Sequence, residues 1–144
     1  MSRVSTYLNF MGQAEEAFDF YADVFGTATT APITRMGDMP GGGEGPQLTE
    51  AEQRLVAHVE LPIVAGHVLM GTDILESMGH ELRVGNNVTI NLELDSRDET
   101  DRLYGALSDG GSDSTGMQDM PWAYWGCTLD RFGIRWMFNG PRPA

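Results

Sequence analysis

Twice along this chain a strand-like segment runs straight into an amphipathic helix that stops at glycine, and each time further strand-like segments follow. That order limits the fold sharply, because a helix entered directly from a strand packs back over one face of the sheet. In the first copy, residues 3–10 (RVSTYLNF) are β-prone and end just before Gly12. Gln13–Phe25 then places Ala14, Ala17, Phe18, Tyr21, Val24 and Phe25 at helical spacing, with Gly26 as the stop. In the second copy, Val88, Ile90, Leu92 and Leu94 alternate with Thr89, Asn91 and Glu93, as a strand with two unlike faces requires. Ser96–Glu99 has the form of a capping box, and the helix it opens runs through Leu107 to Gly110-Gly111.

The remaining strands complete the repeat. Thr29–Met36 is strand-like, and Leu55–Leu61 with His67–Asp73 suggests a hairpin. Residues 74–86 are irregular. Trp122–Asn139 reads as two strands joined by the turn in LDRFGIRW, the last strand being Ile134–Asn139. Between these lies MGDMPGGGEGPQLTE, residues 36–50, whose glycines and prolines predict a long loop and a candidate lid. The expected fold class is α+β: two βαβββ modules, about 3–75 and 86–140, within a single domain spanning 1–144, with helices on the outer face of a cupped mixed sheet.

Charge and chain length exclude several classes of function. Twenty-one acidic residues face nine arginines and no lysine, for a net charge of −12. Nucleic acid and anionic membrane both require a cationic footprint, so neither is an expected partner. No apolar run has the length of a membrane span, and no signal-like segment opens the chain, so the expected location is the cytoplasm. The lone Cys127 has no partner for a disulfide and agrees with a reducing compartment.

Three segments together, YLNF-x-G-x-AEEAF-x-FY-x-x-VFG at 7–26, GHVLMGTDI at 66–74 and LDRFGIRWMFN at 129–139, resemble the vicinal-oxygen-chelate superfamily (glyoxalase, bleomycin-resistance and ring-cleaving dioxygenase proteins) and, within it, the PhnB-like branch. The resemblance implies the two-module fold and a homodimer. It also implies metal-ligand positions on the first, fourth, fifth and eighth strands, which fall here on Thr6, Met70, Thr89 and Met137, give or take one residue. Hydroxyls and thioethers are not the imidazole and carboxylate donors that Zn²⁺, Ni²⁺ or Fe²⁺ requires, so no metal is expected at these positions. The branch also carries the label 3-demethylubiquinone methyltransferase-like, yet no motif for S-adenosylmethionine is present and no cofactor is expected.

The expected function is small-molecule binding in an apolar, aromatic cleft lined by Thr6, Phe10, Met70, Thr89, Asn91, Glu93, Trp122, Trp125 and Met137. The ligand class is hydrophobic or aromatic, since tryptophan supplies flat area and an N–H handle and methionine an adaptable wall. The competing expectation is a metal-dependent lyase, isomerase or dioxygenase, with a displaced ligand set around His58, Glu60 and His67. A third is a module serving only dimerisation or partner contact. Asp73 and Asp130 lie at strand ends; Asp130 is expected to organise its turn through hydrogen bonds to backbone. Cys127 reads as an inert strand thiol, and Trp136 as core.

Overall fold

A computed structural model describes residues 1–40 and 47–143. The chain divides into two compact units, Met1–Arg83 and Val84–Ala144. In the first, β1 (Thr6–Phe10) leads into α1 (Ala14–Phe25), followed by β2 (Thr34–Arg35), α2 (Glu50–Arg54), β3 (Val56–Pro62) and β4 (Val68–Asp73). In the second, β5 (Ile90–Glu93) leads into α3 (Arg97–Ser108), followed by β6 (Gln118–Asp119), β7 (Tyr124–Leu129) and β8 (Arg135–Gly140). Each unit holds one four-stranded sheet, ordered β1-β4-β3-β2 and β5-β8-β7-β6. In both, the opening strand pairs in parallel with the last one and the rest are antiparallel. The repeated element order is thus a repeated topology.

Helix α1 covers one face of the first sheet. It buries Ala14, Ala17, Phe18, Tyr21 and Val24. Phe18 sits edge-on to Phe10 and to Tyr21, at 6.4 and 5.8 Å between centroids. Burying one such ring contributes about 2 kcal/mol. Gly71 of β4 makes room for it: a Cβ there would lie 2.5 Å from Phe18 Cε2. No side chain of Gln13 caps the helix. Instead Asp73, buried at the end of β4, accepts from the Gly12 and Ala14 amides through Oδ1, and from Val56 N through Oδ2, each at 2.9 Å. A carboxylate from the sheet therefore does at the helix N-terminus what a local cap normally does.

Helix α3 covers the second sheet in the same way, burying Thr100, Leu103 and Leu107. Tyr104 meets Phe138 edge-on at 5.5 Å, and Gly140 leaves space for Thr100. Ser96 Oγ accepts from Glu99 N at 3.1 Å. The Glu99 carboxylate is held by Arg102 at 2.7 and 2.9 Å, and that pairing keeps its pKa below the usual carboxylate value.

Several boundaries differ from the sequence expectation. The eight-residue strand expected at Thr29–Met36 is a two-residue β2 with a register shift between Thr34 and Arg35. Val88 is 75% exposed and lies before β5, which is four residues long. Inside the segment expected to be loop, Met36–Asp38 forms a 3₁₀ turn. Glu50–Arg54 forms α2, opened by a reciprocal capping box between Thr49 and Glu52. The expected lid 36–50 lies partly outside the described residues.

Candidate functional site

Each sheet has a face turned away from its own helix, and backbone register decides which side chains share it. On the second sheet, Phe138 and Trp136 of β8 face the helix side with Leu92 and Ile90 of β5. Alternation then sends Asn91, Glu93, Met137 and Asn139 to the open face. Across to β7, Asn139 pairs with Trp125 and Met137 with Cys127. Two adjacent rows result, Glu93–Asn139–Trp125 and Asn91–Met137–Cys127. Asn139 Nδ2 donates to Asn91 Oδ1 at 2.6 Å, and Asn139 Oδ1 is buried without a partner among the described residues.

Four of the nine residues selected from sequence, Asn91, Glu93, Trp125 and Met137, are thus brought together on one face. The other five stand on β1, on β4 or outside the strands. Trp122 stands before β7, 56% exposed, its carbonyl accepting from Arg142 Nε at 3.1 Å. Thr89 lies outside β5 and is exposed. Met70 belongs to the open face of the first sheet, opposite Tyr7 and Glu60. Phe10 does not wall a cleft: it is 2% exposed and packs under α1 against Phe18, because Leu8 and Phe10 share the helix-covered side of β1. Thr6 has the same parity, and its Oγ1 lies 2.9 Å from His67 Nε2.

The expected displaced metal set does not converge. His58 and Glu60 share the open face of the first sheet, while His67 is engaged with Thr6. Among the described residues no group of three or more His, Cys, Asp or Glu side chains is arranged to hold a metal. The positions carried over for the superfamily's metal keep hydroxyl and thioether side chains, a donor set that does not suit Zn²⁺, Ni²⁺ or Fe²⁺.

Asp130, 3% exposed, accepts from Phe132 N and Ile134 N through Oδ1 and from Trp136 Nε1 through Oδ2, at 2.8 to 3.0 Å. It organises the turn before β8, as expected. Asp73 is filled with backbone donors and Asp130 with backbone and indole donors, so neither is placed for acid–base work. Cys127 is half-buried; burial pushes its thiol above the ordinary value, with Arg135 partly offsetting the rise. A raised thiol pKa means less thiolate near pH 8. Alkylation of Cys127 by iodoacetamide is therefore expected to run several-fold slower than that of a free thiol; equal rates would show that the thiol is not shielded.

Sequence reasoning missed two features of the first unit. One is an open cavity of about 530 Å³ lined by Met11, Gly12, Leu55, Ile74 and Leu75, with Thr49, Glu52 and Ser77 at its polar side. The Thr49–Glu52 capping box was the signal available for it. The other is a set of polar contacts around Tyr7, whose members lie far apart in sequence.

Two strand–helix–three-strand units, each with a helix on one face of a mixed sheet, define the fold of the glyoxalase/bleomycin-resistance/dioxygenase superfamily. A domain of that description from Frankia sp. EAN1pec is similar over 100% of this chain and 95% of its own, at 13% identity and a TM-score of 0.65. Within that class, this chain belongs to the 3-demethylubiquinone-9 3-methyltransferase family, the PhnB-like branch, whose sequence model matches residues 2–138. The chain is also similar to protein PA1353 from Pseudomonas aeruginosa, at 28% identity and a TM-score of 0.84, covering 99% of this chain and 100% of that one. A putative 3-demethylubiquinone-9 3-methyltransferase, PhnB protein, from Bacillus cereus is similar at 22% identity and a TM-score of 0.74, over 96% and 99%. No curated protein matches the chain. No helix among the described residues is long and apolar enough to cross a membrane.

Proposed function

We propose that this chain is a small-molecule-binding protein of the PhnB-like branch whose ligand lies on the open face of the second sheet and is hydrophobic or aromatic. The observation that carries this reading is the pair of rows Glu93–Asn139–Trp125 and Asn91–Met137–Cys127. The indole and thioether offer a flat, adaptable apolar bed, while two amides and one carboxylate set orientation. Binding needs no metal in this reading, since hydroxyls and thioethers stand at the carried-over ligand positions.

The protein works as a cytoplasmic homodimer in this proposal. The exposed Val84, Val88 and Trp122 supply apolar surface for self-association, and Cys127 suits a reducing compartment. Light scattering would then give twice the 15.8 kDa chain mass.

Titrating the protein with planar aromatic compounds is expected to give saturable tryptophan quenching. Trp125→Phe should remove most of that signal, and Trp125→Ala should weaken binding about tenfold or more. Saturable binding that is indifferent to both substitutions would move the ligand off this face. Absence of binding, together with stoichiometric uptake of a first-row metal by apoprotein, would replace this reading with the metal-dependent enzyme.

A further inference from the structure

The open cavity of the first unit, about 530 Å³, lies within the size range of small-molecule pockets. Three stretches of chain wall it. Met11 and Gly12 join β1 to α1, Thr49, Glu52 and Leu55 belong to α2 or flank it, and residues 74–77 follow β4. Hydrogen bonds fix these walls. Ile74 N donates to Phe10 O at 2.7 Å, and Met36 N to Leu55 O at 2.8 Å. Leu75 N donates to His80 Nδ1 at 3.0 Å, and Met78 N to Leu75 O at 3.1 Å. A ligand entering a cavity with walls already ordered loses less in arranging them.

The two sides of the cavity differ in chemistry. Met11, Leu55, Ile74 and Leu75 make one side apolar, while Glu52 and Glu76 make the other acidic, and no lining residue is basic. Glu52 is gripped from two directions. Its Oε1 accepts from Thr49 N at 2.9 Å within the α2 cap, and its Oε2 accepts from the Ser77 hydroxyl beyond β4. These donors, the Ser77 hydroxyl foremost, hold the carboxyl below its usual pKa. Glu52 is therefore a standing anion at neutral pH. An ionised carboxylate offers about four lone-pair sites, so two donors leave it able to accept a further one.

We propose that this cavity binds a small organic ammonium ion, its apolar body against Met11, Leu55, Ile74 and Leu75 and its N–H groups donated to Glu52. Glu76 adds negative potential at the same side. Other ligand classes fit less well. An organic anion would meet two carboxylates and no cation. A divalent metal ion would find too few donors, since no group of three or more His, Cys, Asp or Glu side chains among the described residues is arranged to hold one. It would also leave the apolar side unused. A neutral molecule would forgo the charge-assisted bond to Glu52. The net charge of −12 favours the approach of a cation at long range. Every lining residue belongs to the first unit, so this site does not rest on the ligand face proposed for the second.

Titration of the full chain with phenethylamine at neutral pH, followed in amide correlation spectra by NMR, tests the assignment. The Leu55, Ile74, Leu75 and Ser77 signals are expected to move saturably. Hydrocinnamate, similar in shape and opposite in charge, should leave them in place. Glu52→Gln should weaken binding about tenfold, the loss of a hydrogen bond to a charged partner. Glutamine keeps an acceptor for Thr49 N, so the cap of α2 survives the substitution. Glu76→Gln should weaken binding by a smaller factor, because an exposed charge acts through solvent. Trp125→Phe should leave the titration unchanged, which sets this site apart from the face of the second sheet. Equal binding of hydrocinnamate, or no binding of the amine, overturns the ligand class. Saturable shifts confined to other residues, or an affinity indifferent to Glu52→Gln, overturn the site.

Discussion

Asp130→Ala is expected to destabilise the second unit by about 3–5 kcal/mol, more than any other single-side-chain change around β8. One carboxylate, 3% exposed, serves three donors: the Phe132 and Ile134 amides and the Trp136 indole. Alanine leaves all three without that acceptor where water has little access, and each such loss costs about 1–3 kcal/mol. Trp136 is fully buried, so its N–H cannot turn to solvent. Thermal unfolding followed by circular dichroism should show the midpoint falling by about 10 °C or more. Asp130→Asn should recover part of the loss, because one side-chain oxygen still accepts. A midpoint within two or so degrees of the parent protein would refute the account of this turn.

Gly71→Val has the second largest expected effect, through volume and not through hydrogen bonding. Even the first added carbon would sit 2.5 Å from Phe18 Cε2 and 2.9 Å from Cζ. Phe18 has no easy retreat, being fully buried and held edge-on by Phe10 and Tyr21. Overpacking of this kind costs about 1–3 kcal/mol. The decisive measurement is a double-mutant cycle in urea. Phe18→Leu frees space, so the combined variant should be more stable than the sum of the two losses implies, by about 1 kcal/mol. Strict additivity would mean that Gly71 is not where the sheet makes room for the ring.

Both long helices were legible because their apolar residues recur at helical spacing and their ends carry ordinary signals, Gly26 for α1 and Ser96 for α3. The hairpin before the C-terminus was legible for a similar reason, since the turn residue Asp130 lies between two β-rich runs. What failed was length at the sheet edges. Val88 and Thr89 alternate correctly, but β5 is an edge strand and nothing requires it to continue. Helix α2 was hidden behind the preceding glycines, although Thr49–Glu52 spells its capping box.

The candidate site was half legible. Asn91, Glu93, Trp125 and Met137 fell on one face because period-two alternation fixes parity once a strand is recognised. Phe10 was misassigned because apolar character alone does not say which face of β1 it occupies; its neighbour Leu8 does. Tyr7 and His58 are 51 residues apart, and only the placement of β1, β4 and β3 in one sheet makes them neighbours. No local pattern encodes such a contact.

The parallel pairing of each opening strand with the last strand of its unit also sets an order of assembly. β1 lies at the sheet edge and its strand partner is β4, so Thr6 waits for Leu69. The β3–β4 hairpin closes a short loop and is expected to form first, since loop-closure entropy penalises the distant pair. Asp73, at the far end of β4, then gathers the Gly12, Ala14 and Val56 amides in one step. During synthesis the N-terminal strand and helix are accordingly expected to remain undocked until residue 73 has cleared the ribosome. Pulse-labelled hydrogen exchange should find protection in β3 and β4 before β1.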